Sequence, residues 1–171
     1  MTLDPSVRML EYGAGTGLVT HALRDAVGPV TLVDSSSGMR AVMEDKIASG
    51  AIADARVWNL DLTTDPAPDE RFELIVTAMT LHHIVDLDPV LAKLAELLVD
   101  GGHLCIADLE HEDGSFHGAD FHGHHGFDRG ELTSRLERAG FTDVSIESCG
   151  HAVRSSGTYP VFLATSRKPP R

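Results

Sequence analysis

The stretch Met9–Thr20, MLEYGAGTGLVT, decides the fold of this chain, because it joins a buried strand to a helix through a glycine loop. An apolar run precedes the loop, and an apolar stripe at helical spacing follows it. Gly13, Gly15 and Gly17 let the backbone turn sharply and approach a ligand closely, since no Cβ stands in the way. The helix presents free N–H groups and a positive dipole end to the loop. Open α/β folds hold nucleotide-like cofactors at such a junction.

The spacing of the glycines argues against a dinucleotide. The nicotinamide fingerprint is G-x-G-x-x-G, whereas this loop reads G-x-G-x-G and has Leu18 where the third glycine would stand. Glu11 lies at the carboxyl end of the strand, where its charge suits an ammonium group and would repel a pyrophosphate. No Lys-Ser or Lys-Thr follows, so the phosphate-loop pattern is absent too. Taken alone, the glycine pattern is also compatible with an ordinary turn.

Length and composition indicate a single globular domain. The chain has 171 residues, of which 42% are hydrophobic, and no apolar run approaches the length of a membrane span. The formal net charge of −12 disfavours nucleic-acid partners and favours small or cationic substrates. The chain lacks a signal-peptide pattern, and Cys105 and Cys149 are interpreted as buried thiols. We therefore expect a cytoplasmic protein without a membrane partner.

Two further strands end in carboxylates. Val30–Val33 ends at Asp34, which lies 21 positions after Gly13 (34 − 13), the separation expected of a strand–helix–strand unit. Asp34 there can accept both hydroxyls of a ribose; the alternative is a helix N-cap, for which Ser35–Ser37 compete. The third strand, Ala55–Leu60, ends next to Asp61.

The rest of the chain continues the alternation of strands and helices within a domain of residues 1–166, followed by a tail of residues 167–171 that we expect to be disordered. The predicted elements are a strand at Phe72–Val76, a helix from Asp88-Pro89 that ends at Gly101-Gly102, a strand at His103–Leu109, a helix from Asp128 that ends at Gly140, and an antiparallel pair at Val144–Cys149 and Tyr159–Thr165.

This set of motifs resembles the class I S-adenosylmethionine-dependent methyltransferases of the small-molecule type. The resemblance covers nearly the whole chain and depends on the GxGxG loop, the two strand-end aspartates, LIVTAMTLHHI and LLVDGGHL. It implies a doubly wound, Rossmann-like sheet of seven strands, mostly parallel with an antiparallel last strand, and helices on both faces. It also implies direct in-line transfer of a methyl group from S-adenosylmethionine to a small molecule, which leaves S-adenosylhomocysteine.

The resemblance assigns cofactor-binding roles to residues along one edge of the sheet. They are Glu11, Gly13, Ala14, Gly15 and Gly17 around the methionine part, Asp34 and Ser35 at the ribose, Met39, Asp61 and Leu62 around the adenine, and Thr77, Ala78 and Met79 near the sulfonium. Thr77–Thr80 lack the Asp/Asn-Pro-Pro-aromatic motif of amino-methylating nucleic-acid enzymes, and Thr77 stands where metal-dependent catechol-type enzymes have an aspartate.

Histidines are the candidate residues for binding and activating the methyl acceptor. His82 or His83 could act as a general base, since imidazole titrates near neutral pH, or both could merely fill the start of a helix. Residues 110–127 form a histidine-rich segment whose imidazoles lack regular metal-ligand spacing, so we predict no metal site there. We assign His122, His124, His125 and Phe127 to the acceptor pocket.

One departure from the family concerns the N-terminus. Only six residues precede the first strand, where relatives usually carry a helical segment that covers the cofactor. This leaves a second hypothesis, a regulatory or partner-dependent domain that binds the cofactor with weak or no catalysis. A third, a nicotinamide-dependent oxidoreductase, is disfavoured by Leu18 and Glu11. The sequence is compatible with a homodimer and does not identify the methyl acceptor.

Overall fold

The computed structural model describes residues 2–170, which form seven strands, four α-helices and one 3₁₀ turn. The strands are β1 Met9–Tyr12, β2 Val30–Val33, β3 Ala55–Trp58, β4 Phe72–Ala78, β5 Leu98–Leu109, β6 Thr142–Arg154 and β7 Gly157–Arg167. The helices are α1 Leu18–Leu23, α2 Ser37–Ala48, α3 Leu87–Leu97 and α4 Arg129–Arg138, and the 3₁₀ turn is Leu81–His83.

The strands build one sheet in the order β3-β2-β1-β4-β5-β7-β6. Strands β1 to β5 pair in parallel, as expected when each strand returns through a crossover. Strand β7 runs antiparallel to both β5 and β6. The predicted seven-stranded, mostly parallel sheet with an antiparallel last strand is therefore confirmed.

Successive residues of β1 show why helices cover both faces. Met9 and Leu10 are both fully buried, and because side chains alternate along a strand they enter different cores. Met9 packs in the cluster that includes Met43 of α2, while Leu10 packs in the cluster that includes Leu94 of α3 and Leu132 of α4. A strand buried on both faces reads as a continuous apolar run.

The predicted end of the third helix is wrong. Helix α3 ends at Leu97 and not at Gly101-Gly102, because Leu98 already pairs with Phe72 of β4. The two glycines lie inside β5, next to a register shift between β4 and β5. Gly101 has φ +80°, and a Cβ on Gly102 would stand 2.9 Å from a backbone oxygen, so both positions suit glycine for reasons unrelated to helix termination.

The first residues of the tail that the sequence predicts to be disordered make regular hydrogen bonds. Strand β7 continues to Arg167, and the backbone N–H of Lys168 donates to Gly102 O at 2.8 Å while its Nζ donates to Leu98 O at 2.8 Å. Arg171 lies outside the described residues.

Cys149 is exposed and only Cys105 is half-buried, which corrects the expectation of two buried thiols. Within residues 2–170, no helix has the length and apolar character needed to cross a membrane.

The packing of α3 predicts a large cost for truncating its buried face. Leu94 is fully buried, so Leu94→Ala removes transfer energy and leaves a cavity; we expect the free energy of unfolding to fall by about 3 kcal/mol. The matched control is Leu18→Ala, because Leu18 is 71% exposed on α1. Urea denaturation measures both. A loss for Leu94→Ala no larger than that of the control would contradict the assignment of α3 to the core.

Candidate functional site

The glycine loop between β1 and α1 depends on left-handed backbone. Gly13, Gly15 and Gly17 have φ values of +68°, +55° and +72°. A Cβ on Gly13 would lie 2.2 Å from Thr80 Cγ2, and the Thr80 hydroxyl donates to Gly13 O at 3.2 Å. A Cβ on Gly15, by contrast, would meet nothing within 4 Å. The loop therefore packs tightly against the segment after β4 at Gly13 and is open at Gly15.

Glu11 anchors the start of α1 through its carboxylate. Its carboxylate is buried and accepts bonds from the Thr20 N–H at 2.9 Å and the Thr20 hydroxyl at 2.5 Å. Burial raises the pKa of Glu11, while the bonds from Thr20 act in the opposite direction. One oxygen of the side chain predicted to meet an ammonium group, Oε2, thus holds the helix of its own βα unit.

A cavity of about 850 Å³ lies at the carboxyl ends of β1 to β4. This is the edge at which open α/β sheets bind ligands. The residues that line it are Tyr12, Gly13, Gly15, Asp34, Ser35, Met39, Leu60, Asp61, Thr63, Met79, Thr80, His83, Ile84, Val85, Asp86 and Pro89. Its volume falls within the range of small-molecule sites.

The charge of the cavity is uniformly acidic. Asp34, Asp61 and Asp86 contribute carboxylates, and the described residues that line the cavity include no lysine or arginine. Burial, together with the neighbouring His82 and His117, lowers the pKa of His83, which favours the neutral imidazole. The cavity therefore favours a cationic ligand over a polyphosphate.

Asp34 links the glycine loop to α2. Its Oδ2 accepts from the N–H of Gly15 at 2.8 Å, and its Oδ1 accepts from the N–H of Ser36 at 2.8 Å. Ser36, and not Asp34, is the N-cap of α2, with its hydroxyl accepting from the Met39 N–H at 3.4 Å. Asp34 is consequently left to hold the loop and to face the cavity.

Eight of the predicted site residues line this cavity: Gly13, Gly15, Asp34, Ser35, Met39, Asp61, Met79 and His83. Two features mark its rim. Met79 has φ +52°, a strained value for a residue with a side chain, and its N–H donates to Ala107 O at 2.8 Å. The Asp61 carboxylate accepts from the N–H and the hydroxyl of Thr63 at 2.9 Å and 2.6 Å.

The structure does not bring the other predicted residues to the cavity. They are Glu11, Ala14, Gly17, Leu62, Thr77, Ala78, His82, His122, His124, His125 and Phe127. The Leu62 N–H, predicted to meet an adenine, donates instead to the Tyr12 hydroxyl at 3.2 Å. Burial, with smaller contributions from nearby carboxylates, raises the pKa of Tyr12 to about 12. Thr77 and Ala78 line a second cavity of about 640 Å³ beside α1.

The two adjacent histidines have different environments. His82 is 1% exposed, and its Nδ1 lies 2.5 Å from Oδ1 of the fully buried Asp108. The other ring nitrogen, Nε2, is buried without a hydrogen-bond partner. His83 is exposed and lines the cavity. Only His83 is therefore placed to act on a ligand in the cavity.

Residues 110–127, here called the histidine loop, fold back onto the 3₁₀ turn. The loop closes through the N–H of Glu112, which donates to His125 O at 2.9 Å, and docks through the N–H of His124, which donates to His82 O at 2.7 Å. Phe127 is buried in the core near Phe162. His124, His125 and Phe127 of the predicted acceptor pocket thus hold the loop in place, while His117 comes close to His82 and His83.

Sequence reasoning missed three residues of this region. Tyr12 and Asp108 look like ordinary strand residues in the sequence, although an isolated aspartate in the apolar run CIADL was a usable signal for Asp108. In the sequence, His117 is one histidine of an irregularly spaced segment. Its position beside the 3₁₀ turn depends on a contact between segments 34 residues apart (117 − 83), which periodicity does not encode.

The comparisons with known proteins agree on one family. A family model described as a methyltransferase domain matches residues 2–146. An uncharacterized methyltransferase of Schizosaccharomyces pombe is 32% identical over 117 residues, which cover 64% of this chain and 41% of that protein. The ubiquinone/menaquinone biosynthesis C-methyltransferase UbiE of Shewanella piezotolerans is 29% identical over 109 residues, which cover 61% of this chain and 43% of UbiE. The match spans less than half the length of these relatives.

A solved structure extends the likeness to the whole fold. The N-methyltransferase NodS of Bradyrhizobium japonicum, in complex with S-adenosylhomocysteine, superposes with a TM-score of 0.75 at 19% identity. The alignment covers 95% of this chain and 78% of NodS. At this identity the likeness establishes the fold.

The glycine loop predicts different outcomes for two alanine substitutions. In Gly13→Ala the new Cβ collides with Thr80 in left-handed backbone, so we expect the free energy of unfolding to fall by about 3 kcal/mol. Gly15→Ala suffers only the backbone strain, about 1 kcal/mol. Thermal and urea denaturation measure both. Equal losses in the two variants would contradict the close packing of Gly13 against Thr80.

The raised pKa of Glu11 predicts a pH-dependent effect of Glu11→Gln. A carboxyl group whose pKa is higher in the folded state than in the unfolded state stabilises the fold at pH values below the unfolded-state pKa. This stabilisation is lost as the pH rises through the folded-state pKa. Glutamine does not ionise. The stability of Glu11→Gln relative to the native chain should therefore increase between about pH 4 and about pH 7.

Urea denaturation across this pH range measures the difference. The control is Glu44→Gln, since Glu44 is exposed on α2. A relative stability of Glu11→Gln that stays constant, or that falls with rising pH, would show that burial does not raise the pKa of Glu11.

Proposed function

The chain belongs to the class I S-adenosylmethionine-dependent methyltransferases, and we propose that it transfers the cofactor's methyl group to a small-molecule acceptor. The family model that covers residues 2–146 establishes the membership, and the complex of NodS with S-adenosylhomocysteine supports S-adenosylmethionine as the cofactor. The cavity at the carboxyl ends of β1 to β4 is the proposed cofactor site. Which residues hold the cofactor, and which molecule receives the methyl group, are the subject of the proposal.

The acidic lining of the cavity carries the proposal. S-adenosylmethionine bears an ammonium and a sulfonium, and Asp34, Asp61 and Asp86 surround the space with negative charge and no compensating lysine or arginine among the described lining residues. The same carboxylates would repel the pyrophosphate of a dinucleotide. The same observation argues against the nicotinamide-dependent alternative.

The residues at this edge fit the cofactor part by part. Asp34 would accept the ribose hydroxyls, as its position at the end of β2 supports. Met39, which is 41% exposed at the cavity, would pack on the adenine, and Asp61 would accept from its amino group. Gly15 leaves open space for the methionine part, and Met79, which also lines the cavity, would lie near the sulfonium.

The other predicted cofactor residues would act indirectly. Glu11 holds the first turn of α1 through Thr20, and Gly17 has φ +72° at its N-cap, so both set the shape of the loop. The Leu62 N–H holds the Tyr12 hydroxyl at the cavity wall. These residues would position the groups that bind the ligand.

The protein's part in the reaction is to orient and to exclude water. The cofactor supplies an already activated methyl group, so the remaining barrier depends chiefly on holding an acceptor atom in line with it. His83, Ile84 and Val85 form the wall on the acceptor side. His83, with a pKa lowered by burial, is the group there that could take a proton from the acceptor.

A small acceptor agrees with the size and charge of the protein. The net charge of −12 disfavours nucleic acid, and UbiE and NodS, which share the family or the fold, are named as a biosynthetic C-methyltransferase and an N-methyltransferase. The atom that accepts the methyl group, O, N, S or C, stays open, as does the predicted homodimer. The cytoplasmic location likewise stays a prediction.

Calorimetric titration with S-adenosylhomocysteine, with NAD in parallel, tests the cofactor assignment. We expect binding of S-adenosylhomocysteine and none of NAD. Asp34→Ala should weaken that binding roughly 10- to 100-fold, because it removes charge-assisted bonds to the ribose. Asp25→Ala is the control, since the Asp25 side chain is 93% exposed. Preferential binding of NAD would overturn the proposal.

A second ligand shows whether Asp34→Ala removes a contact to the ribose or disturbs the whole glycine loop. Methylthioadenosine keeps the ribose and lacks the amino acid, so Asp34→Ala should weaken its binding by the same factor. An unchanged affinity for both ligands would refute the role of Asp34. Binding without methyl transfer to any acceptor in a panel of amines, thiols, alcohols and phenols would favour the regulatory hypothesis over the enzymatic one.

A further inference from the structure

We propose that His82, His83 and His117 form a binding site for a zinc-type divalent metal ion at the acceptor wall of the cofactor cavity. The sequence predicted no metal site, because the histidine loop lacks ligand spacing. The three-dimensional arrangement instead combines two residues of the 3₁₀ turn with one residue of that loop. None of the three residues is assigned to the cofactor itself; His83, the candidate proton acceptor of the metal-free cavity, would be a metal ligand when the ion is bound.

The geometry of the three imidazoles supports a shared ligand. One ring nitrogen from each residue lies within 4.8 Å of the corresponding atoms of the other two. The ring centroids of His82 are 4.2 Å from those of His83 and 5.0 Å from those of His117. Nitrogens around a tetrahedral zinc ion stand roughly 3.4 Å apart, given Zn–N bonds of about 2.0–2.1 Å. The exposed His83 and His117 can close that difference by side-chain rotation.

His82 has the surroundings of an oriented metal ligand. Its Nδ1 lies 2.5 Å from Asp108 Oδ1, and its backbone N–H donates to Asp108 Oδ2 at 3.3 Å. Metal-bound histidines characteristically donate their second ring N–H to a carboxylate, which fixes the tautomer and the ring. The remaining Nε2 is buried without a partner, which is rare for a buried polar atom. A metal ion would satisfy it.

The histidine loop holds His117 in place. Its ring stacks on Phe121, with centroids 4.0 Å apart and an interplanar angle of 17°. The preceding turn is fixed by the Glu112 carboxylate, which accepts from the N–H groups of Gly114 and Phe116 at 2.9 Å and 3.0 Å. Phe116 is buried edge-on against Tyr159 at a centroid distance of 5.0 Å. None of these contacts involves a residue that lines the cofactor cavity, and together they fix the position of His117.

The set of donors identifies the class of ion. Among the residues that the structure describes, the cluster contains three imidazoles and neither a thiolate nor a carboxylate. Imidazole suits zinc and other late first-row ions, whereas magnesium and calcium require oxygen ligands. Three histidines with a fourth position left open are the arrangement of a catalytic and not a structural zinc site.

The position of the site suggests a role that rests on the proposed function. His83 lies both in the cluster and on the cavity wall, so the open coordination position would meet the acceptor. A thiol or hydroxyl bound there would release its proton to solvent more readily. Its lone pair would then form the bond to the methyl carbon as the bond from that carbon to the sulfonium sulfur breaks, which leaves S-adenosylhomocysteine. The acceptor class is accordingly a thiol or an alcohol.

The competing account is that Asp108 and His82 form a general-base pair. Such a pair must reach the acceptor, yet His82 is not among the residues that line the cavity. That account also leaves the approach of His117 unexplained. The metal site accounts for the buried Nε2, the Asp108 contact and the third imidazole together.

The test is metal binding by the tag-free chain after treatment with a chelator and its removal. Calorimetric titration with ZnSO₄ and visible absorption on titration with CoCl₂ should each give one ion per chain. His117→Ala should weaken zinc binding at least 100-fold and remove the cobalt absorption, because one of three ligands is lost. The exposed His21 on α1 provides the control, His21→Ala, which should bind like the native chain.

A second variant tests the orienting role of Asp108. Asp108→Asn should weaken zinc binding roughly 10- to 100-fold while retaining one site per chain. Zinc should also raise the melting temperature of the native chain and not that of His117→Ala, since binding to the folded state alone stabilises it. The melting temperature of each variant without zinc reports whether it folds.

The outcomes separate this inference from the proposed function. The absence of stoichiometric zinc binding, or equal binding by His117→Ala and the native chain, overturns the metal site. If S-adenosylhomocysteine still binds in that case, the cofactor assignment stands and His83 remains the candidate base. Zinc binding without S-adenosylhomocysteine binding supports the metal site and overturns the cofactor assignment.

Discussion

Two buried or half-buried carboxylates hold the glycine loop, and the rest of the site depends on them. Glu11 at the end of β1 binds both polar groups of Thr20, and Asp34 at the end of β2 binds the N–H groups of Gly15 and Ser36. The loop between these anchors has left-handed backbone at its glycines and therefore little intrinsic order. The carboxylates supply that order at the edge where the parallel strands end.

The same edge separates two kinds of chemistry. Toward β2 and β3 the cavity has carboxylates that suit the hydroxyls and the amino group of a nucleoside, and toward β4 it has the strained Met79 and the wall formed by His83. Beyond His83 lies the imidazole cluster, supported by Asp108 from β5 and by the histidine loop. Cofactor binding and acceptor activation would thus be assigned to different strands of one sheet.

The long antiparallel pair of β6 and β7 supports the histidine loop. Strands β6 and β7 have 13 and 11 residues, and near their turn Tyr159 bonds to Ser115 of the histidine loop at 2.7 Å and packs on Phe116. The hairpin therefore stabilises the loop that presents His117. A strand pair that looks peripheral in the topology has a direct structural part in forming the acceptor side.

The sequence by itself determined the alternation of strands and helices, the glycine loop and the strand-end aspartates, because hydrophobic period and glycine placement are local properties. The seven-stranded, mostly parallel sheet followed from the family that these motifs resemble. It was wrong about Gly101 and Gly102, where pairing of Leu98 with Phe72 outweighed the local signal for a helix end. Only the tertiary structure decided that Glu11 turns to Thr20, that the Leu62 N–H meets Tyr12, and that His117 joins His82 and His83. These contacts join segments that are distant in sequence, or depend on which side chain lies within hydrogen-bond distance of a buried donor. Residue spacing along the chain does not specify that proximity.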